Sequence, residues 1–279
     1  MQSARIIALA AAVAAFCVAS VAAAQTPSLK AGASYASANW AGYVASGATY
    51  TGIGGTWKVP EPQSDSSQLS ADATWVGVGG SESKDLIQAG TQAVVEKGSV
   101  QYEAWYEGLP GVQKIIPLDV HGGDTVSVSL KETAHDIWQI SFVDDTTGQQ
   151  FQTIVQYDSS LSSAEWIEEA LSTGGGGRDE QLPLDDFGTA SFTGGWTIAN
   201  GSYKTIAGAD ASALAMAGTN NLALATPTAI GEDGVSFSVA RTGVSDVETP
   251  LQYAGIRYPR HRRTRRSSVI VAERFSFRW

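Results

Sequence analysis

A single cysteine, Cys17, occurs in 279 residues, and it lies inside an apolar amino-terminal run. With that run removed, the chain has no thiol, which excludes disulfides, thiol catalysis and cysteine-ligated zinc together. Histidine is almost as scarce: His121, His135 and His261 are scattered and fit no metal-ligand spacing. No Gly-x-Ser-x-Gly elbow occurs, which disfavours a serine hydrolase. Cations are few over most of the length. Residues 25–256 hold nine Lys or Arg against 27 Asp or Glu, a net of −18, whereas residues 257–279 hold eight Arg and one Glu. An acidic body cannot neutralise phosphates, so nucleic-acid binding is disfavoured. It also has few ion pairs for acid to break, and low pH relieves its self-repulsion.

What is present divides the chain. Arg5 gives a short basic start, residues 6–21 are almost wholly apolar, and Ala22, Ala23 and Ala24 are small, so residues 1–24 read as a secretory signal. Residues 25–38 form a Ser-, Ala- and Gly-rich lead, too short for a folded inhibitory pro-domain. Residues 39–245 are long enough for one large all-β domain, and residues 246–279 make a basic tail expected outside the core. Strands are expected at 39–44, 51–59, 100–107, 115–120, 125–132, 137–144, 151–157, 190–193, 196–198 and 235–241. Gly, Asp and Pro punctuate them, and the glycine run at 174–177 is expected as a loop. This cadence is that of an antiparallel sandwich or barrel. The Ala-rich stretch 207–225 has room for a short helix, against which its Gly and Asn residues weigh.

Residues 74–107 carry the most unusual chemistry. In a strand every second side chain shares a face, so Glu103, Trp105 and Glu107 point one way while Tyr102, Ala104 and Tyr106 point the other. Two acids flanking an indole suit a cleft wall better than a core, because unpaired carboxylates are costly to bury. Trp75 and Gln88 are placed to extend that wall. A second acidic stretch, residues 163–170, puts Glu165 and Glu169 on one side whether it is helix or strand.

The segments NWAGYV, TWVGVGG, LIQAGTQ, YEAWYEGLP and AEWIEEA, in this order between Asn39 and Thr242, resemble the glutamic peptidases, or eqolisins. The resemblance implies an all-β antiparallel sandwich of two large sheets, of the concanavalin-like or jelly-roll type. It also implies a secreted, pepstatin-insensitive acid endopeptidase with a Gln/Glu catalytic pair. That pair falls on Gln88 and Glu169, and the cleft-lining positions fall on Trp75, Glu103, Trp105 and Glu107. Where the family often has Asp, this chain has Gly79 and Gln92.

The chemistry is sound on its own terms. Peptide hydrolysis needs an activated water, an oxyanion stabiliser and a proton for the leaving amine. Ionised Glu169 can take a proton from water and return it to the amine, while Gln88 donates to the oxyanion at any pH. No cofactor or metal is required, the expected partners are polypeptides, and a monomer without membrane insertion is the default. The competing reading is a β-sandwich that binds or hydrolyses carbohydrate, with Trp75 and Trp105 stacking on sugar rings and paired carboxylates doing any chemistry.

Overall fold

Alternating β-branched, aromatic and small residues between Gly and Asp turns leave this chain few options besides strands. The computed structural model describes residues 35–63, 68–173, 180–218 and 222–243; the expectations for residues 1–34, the glycine run 174–177 and the basic tail 246–279 lie outside them. Eighteen strands follow in order: β1 (Tyr35–Ser37), β2 (Trp40–Ser46), β3 (Tyr50–Lys58), β4 (Ser70–Gly79), β5 (Leu86–Glu96), β6 (Ser99–Gly108), β7 (Lys114–Ile116), β8 (Thr125–Ala134), β9 (Ile137–Asp144), β10 (Gln150–Gln156), β11 (Ser163–Glu169), β12 (Ser172–Thr173), β13 (Glu180–Gln181), β14 (Thr189–Ala199), β15 (Ser202–Thr205), β16 (Ser212–Ala217), β17 (Ala223–Pro227) and β18 (Phe237–Arg241). Among the described residues the one helical element is a 3-10 turn at Ala207–Ala209. None of them forms a helix long and apolar enough to cross a membrane.

One hydrogen-bonded path joins sixteen of these strands in the order β10-β9-β8-β3-β14-β18-β17-β16-β2-β11-β4-β5-β6-β7, with β15 beside β14 and β1 beside β16. Every pairing in it is antiparallel except that of β1 with β16. The path folds back on itself, because strands distant along it meet. The Trp57 indole of β3 donates to Thr91 Oγ1 of β5 at 3.0 Å, and the Trp166 indole of β11 donates to the Gly54 carbonyl of β3, also at 3.0 Å. Between the two halves lies the main apolar interior, with Trp57, Trp138, Trp166, Phe142 and Phe192 all buried. Truncating one such aromatic costs roughly 3–5 kcal/mol. Both crossing indoles keep an acceptor, so burying them leaves no orphaned N–H.

Three sequence expectations are corrected. Residues 115–120 yield only the three-residue β7, because Pro117 interrupts the ladder. Residues 190–193 and 196–198 are one strand, β14, bulged between Thr193 and Trp196 where it pairs with β3. The stretch 207–225 is mostly β16 and β17 rather than helix, since pairing with β2 and burial of Leu214 and Met216 outweigh alanine's helical preference. The end of the amino-terminal lead is also structured, as β1 shows.

Strands β2, β11, β4, β5 and β6 lie side by side and have two differently used faces. One packs into the main interior. The other carries a second, smaller apolar group that includes Trp40, Trp75, Leu86, Trp105 and Ile167. On this second face Gly90 sits between Trp75 and Trp105 in register. A Cβ there would lie 2.2 Å from the Thr74 carbonyl oxygen and 2.5 Å from Trp75 Cβ. Neither contact is a flexible side-chain end, so Gly90→Ala is expected to destabilise the fold by about 3 kcal/mol or more. Urea denaturation of the two proteins at acid pH checks this.

Candidate active site

The ladder registers place the sequence-derived residues in three rows across β11, β4, β5 and β6. The first row is Glu165, Gly77, Gln88 and Glu107; the second is Ile167, Trp75, Gly90 and Trp105; the third is Glu169, Ala73, Gln92 and Glu103. Strand alternation therefore brings all six predicted residues to one face. Gln88 and Glu169 belong to different rows with β4 between their strands. Trp75 spans part of that gap, donating from its indole Nε1 to Glu169 Oε2 at 2.8 Å.

Glu169 is held from several sides. Asn39 Nδ2 donates to its Oε1 at 2.9 Å, and the Trp40 side chain lies close enough to favour its anion. Trp40 in turn packs edge-on against Trp75, with ring centroids 5.0 Å apart. Burial pushes the Glu169 carboxyl up to about 7, against the pull of Trp40, Trp75 and Asn39, which favour the anion. Gln88 Nε2 donates to Glu107 Oε2 at 3.0 Å. Burial raises Glu107 to about 7 as well; the Gln88 amide lowers it and the charge of Glu169 raises it. Around the Gln88–Glu107 pair, Gln88 Oε1, Glu107 Oε1 and the Trp105 indole Nε1 are buried without a partner. Such atoms in a native fold call for a water or a ligand.

Glu103 is half-buried and belongs to a separate chain of contacts. Gln113 Nε2 donates to Gln92 Oε1 at 2.9 Å, and Gln92 Nε2 donates to Glu103 Oε2 at 2.7 Å. The amide at Gln92 thus takes up the neighbouring acid. At the other departure from the family pattern, Gly79 has φ +88°, and a Cβ there would lie 2.8 Å from Asp85 Oδ2. No side-chain carboxyl fits at that position while Asp85 fills the space.

Glu165 shares the face but not the cluster. It is fully buried toward Ser163 and Ser81, and burial, with a smaller contribution from Asp85, raises its carboxyl well above the usual range. Glu168 points to the opposite face, where Thr74 Oγ1 donates to its Oε2 at 2.7 Å. There it stands beside Asp72, which stands beside Asp185 in turn, close enough for the three carboxyls to act on one another. Burial raises all three, Glu168 to about 8 and Asp185 to about 10. Arg241 lies close enough to favour the Asp185 anion, and its Nε donates to the Asp185 backbone oxygen at 3.0 Å.

Asn39 and Trp40 are the site residues that sequence reasoning did not single out. Both stand at the head of the NWAGYV segment, so the signal was present without a role attached. Among the described residues, the one trio of donors with ligand atoms within 4.8 Å of one another is Glu132, His135 and Asp136, at the β8–β9 turn, and no site carboxyl belongs to it.

An all-β chain that gathers buried carboxyl, amide and indole groups on one sheet face has the equipment of a hydrolase. Residues 38–239 match the Peptidase A4 family, and the chain belongs to that family, the eqolisins or glutamic peptidases; it is a peptide hydrolase of that class. Aspergillopepsin-2 of Aspergillus niger is 27% identical over 226 residues, covering 72% of this chain and 77% of its own. The fold is shared with scytalido-glutamic peptidase bound to a transition state analog inhibitor, at a TM-score of 0.63 and 23% identity over 73% of this chain and 98% of that one. It is shared also with aspergilloglutamic peptidase from Aspergillus niger, at 0.54 and 24% over 62% and 99%.

Proposed function

We propose that the chain is a secreted, pepstatin-insensitive acid endopeptidase that works with Gln88 and Glu169. The observation that supports it most is the provision for one anion and one oxyanion on a single face. Glu169 receives donors from Asn39 and Trp75, with Trp40 beside them, while Gln88 gives one N–H to Glu107 and keeps a second N–H and its carbonyl for a ligand. In this reading the fold is a two-layered sandwich, the cleft is its recessed face, and the signal-like residues 1–24 direct export.

The reaction runs as follows. Ionised Glu169 accepts a proton from a water as its oxygen adds to the peptide carbonyl carbon. The free N–H of Gln88 stabilises the oxyanion. Protonated Glu169 then passes its proton to the amide nitrogen, the C–N bond breaks, and acid and amine leave. Glu107 and Glu169 bear on each other, so the pair loses its two protons in separate steps, and in this reading Glu169 carries the first charge while Glu107 stays neutral beside it. A water that donates to Glu169 favours its anion in the same sense as Trp75 and Asn39 do. The orphaned Trp105 N–H is suited to a substrate carbonyl. Glu103, with Gln92 and Gln113, bounds the more exposed end of the cleft.

The test is cleavage of a denatured protein by the purified chain between pH 3 and 6 with pepstatin present. Fragments at rates unaffected by pepstatin are expected. Absence of fragments together with retention on an insoluble polysaccharide would replace this reading with the carbohydrate one.

A further inference from the structure

One side chain outside the rows is built into the ladder that carries them. Gln88 pairs with Glu107 and Ile87 with Gly108, so the next rung outward joins Leu86 and Leu109. Half of that rung is ordinary: Leu109 N donates to the Leu86 oxygen at 2.9 Å. The reciprocal half is not a direct bond. Leu86 N donates instead to the Tyr157 hydroxyl at 2.7 Å, and that hydroxyl donates to the Leu109 oxygen, also at 2.7 Å. A phenol oxygen thus stands between two backbones that would otherwise close on each other.

The wedge is fixed from behind. Tyr157 N donates to the Asp136 oxygen at 2.8 Å, and its own carbonyl accepts the Trp138 indole at 3.1 Å. Its ring lies against Gly108, where a Cβ would approach Tyr157 Cδ2 to 2.7 Å, so the ring reaches the rung only because residue 108 has no side chain. We propose that Tyr157 is a positioning residue for the Gln88–Glu107 pair: its hydroxyl, as a member of the terminal rung, sets the spacing of β5 and β6 beside the two side chains. This rests on the reading of Gln88 as the oxyanion donor.

The groups facing Glu107 are the Gln88 amide on β5, the Glu169 carboxyl on β11 and Tyr157; Asp85 and Asp158 also bear on the tyrosine. Burial, reinforced by Asp85 and Glu107, holds the phenol proton above its usual range, so the hydroxyl keeps the proton it gives to Leu109 throughout the acid range. In Tyr157→Phe the ring still blocks direct closure, and Leu86 N–H and Leu109 C=O both lose their partner. The end of β6 then draws away from β5 and the Gln88–Glu107 bond weakens. Because that bond lowers the Glu107 carboxyl, its loss raises it.

The experiment compares the parent, Tyr157→Phe and Gly108→Ala, the last of which displaces the ring without removing the hydroxyl. Both variants are expected to lose kcat by about tenfold or more with KM within about twofold, since a small misplacement of a catalytic group is enough for such a loss. Both are also expected to raise the Glu107 titration, read by carboxyl 13C NMR without substrate. A folded Tyr157→Phe with parental kcat, or with an unmoved Glu107 titration, overturns the proposal. So does a loss of kcat that only tracks the folded fraction. An inactive parent whose Glu107 titration still responds to Tyr157→Phe would separate the two claims, upholding the rung and rejecting the peptidase mechanism.

Discussion

Glu169→Gln is expected to lower peptide hydrolysis by roughly a thousandfold or more, because the general base and the later proton donor are lost together. The variant keeps the size of the side chain but not its ability to accept on both oxygens. Asn39 Nδ2 and Trp75 Nε1 each donate to a different oxygen of Glu169, so a glutamine NH2 must face one of them. That mismatch costs about 1–3 kcal/mol, which a stable fold survives at acid pH. Gln88→Ala removes the oxyanion donor and is expected to cost about a hundredfold to a thousandfold. The double variant should be little worse than Glu169→Gln alone, since groups that serve one transition state do not add. Initial rates on a denatured protein, with circular dichroism of each variant, check all three. Activity retained by Glu169→Gln would move the base to Glu107. It would not move it to Glu168, which faces the opposite side, or to Glu165, which is enclosed near Ser81 and Ser163.

The second large effect concerns stability. A carboxyl whose value in the fold is raised above its unfolded value stabilises fully below the unfolded value, and that stability is lost as pH rises through the folded one. Glu107 and Glu169 are raised to about 7, Glu168 to about 8 and Asp185 to about 10, with Asp72 and Glu165 shifted the same way. Asp85 is shifted downward and acts in the opposite sense, stabilising above its unfolded value. Each raised group removes about 1.4 kcal/mol per pH unit between the two values. Two of them over three units remove about 8 kcal/mol, comparable with the whole stability of a domain at about 5–15 kcal/mol. The melting temperature is therefore expected to be highest near pH 4 and to collapse toward neutrality. Asp72→Asn takes one acid from the middle of the Glu168–Asp72–Asp185 chain while leaving an amide to bridge it. The variant should melt close to the parent at pH 4 and well above it at pH 7. Scanning calorimetry across that range decides the matter, and a parent melting temperature that stays flat from pH 4 to 7 would refute the account.

The two demands act against each other. Ionised Glu169 becomes more abundant as pH rises, while the fold that presents it weakens over the same interval. If Glu169 is the base as proposed, the working range is expected where those curves cross, on the acid side of 7.

Much of this was legible in the residues, and the part that was not has a physical reason. Residues 101–107 alternate cleanly enough that one face of β6 could be written down from the sequence. Residues 163–170 could not be assigned, because positions four apart share a side in helix and strand alike; β2 and β4, pairing on either edge, settle it as β11. The strands of the Ala-rich segment were not legible because alanine's preference is local, whereas the ladder with β2 is made by residues far away in the chain. The role of Asn39 was hidden for the same reason, since its acceptor lies 130 positions further on. The Asp72–Asp185 contact depends on Ala71 bridging to Leu184, a pairing that no periodicity announces.

The small parallel strand β1 bears on all of this from the edge. Its last residue, Ser37, accepts the backbone N–H groups of Asn39 and Trp40 on its hydroxyl, and Asn39 then accepts Ala170 N on its carbonyl while its amide reaches Glu169. Proteolytic trimming or a tag junction placed between Tyr35 and Ser37 would leave every side chain of the three rows in the protein, yet detach the strap that presents Asn39 to the central carboxylate. For whoever produces shortened forms of this enzyme, the safe cut lies upstream of Tyr35.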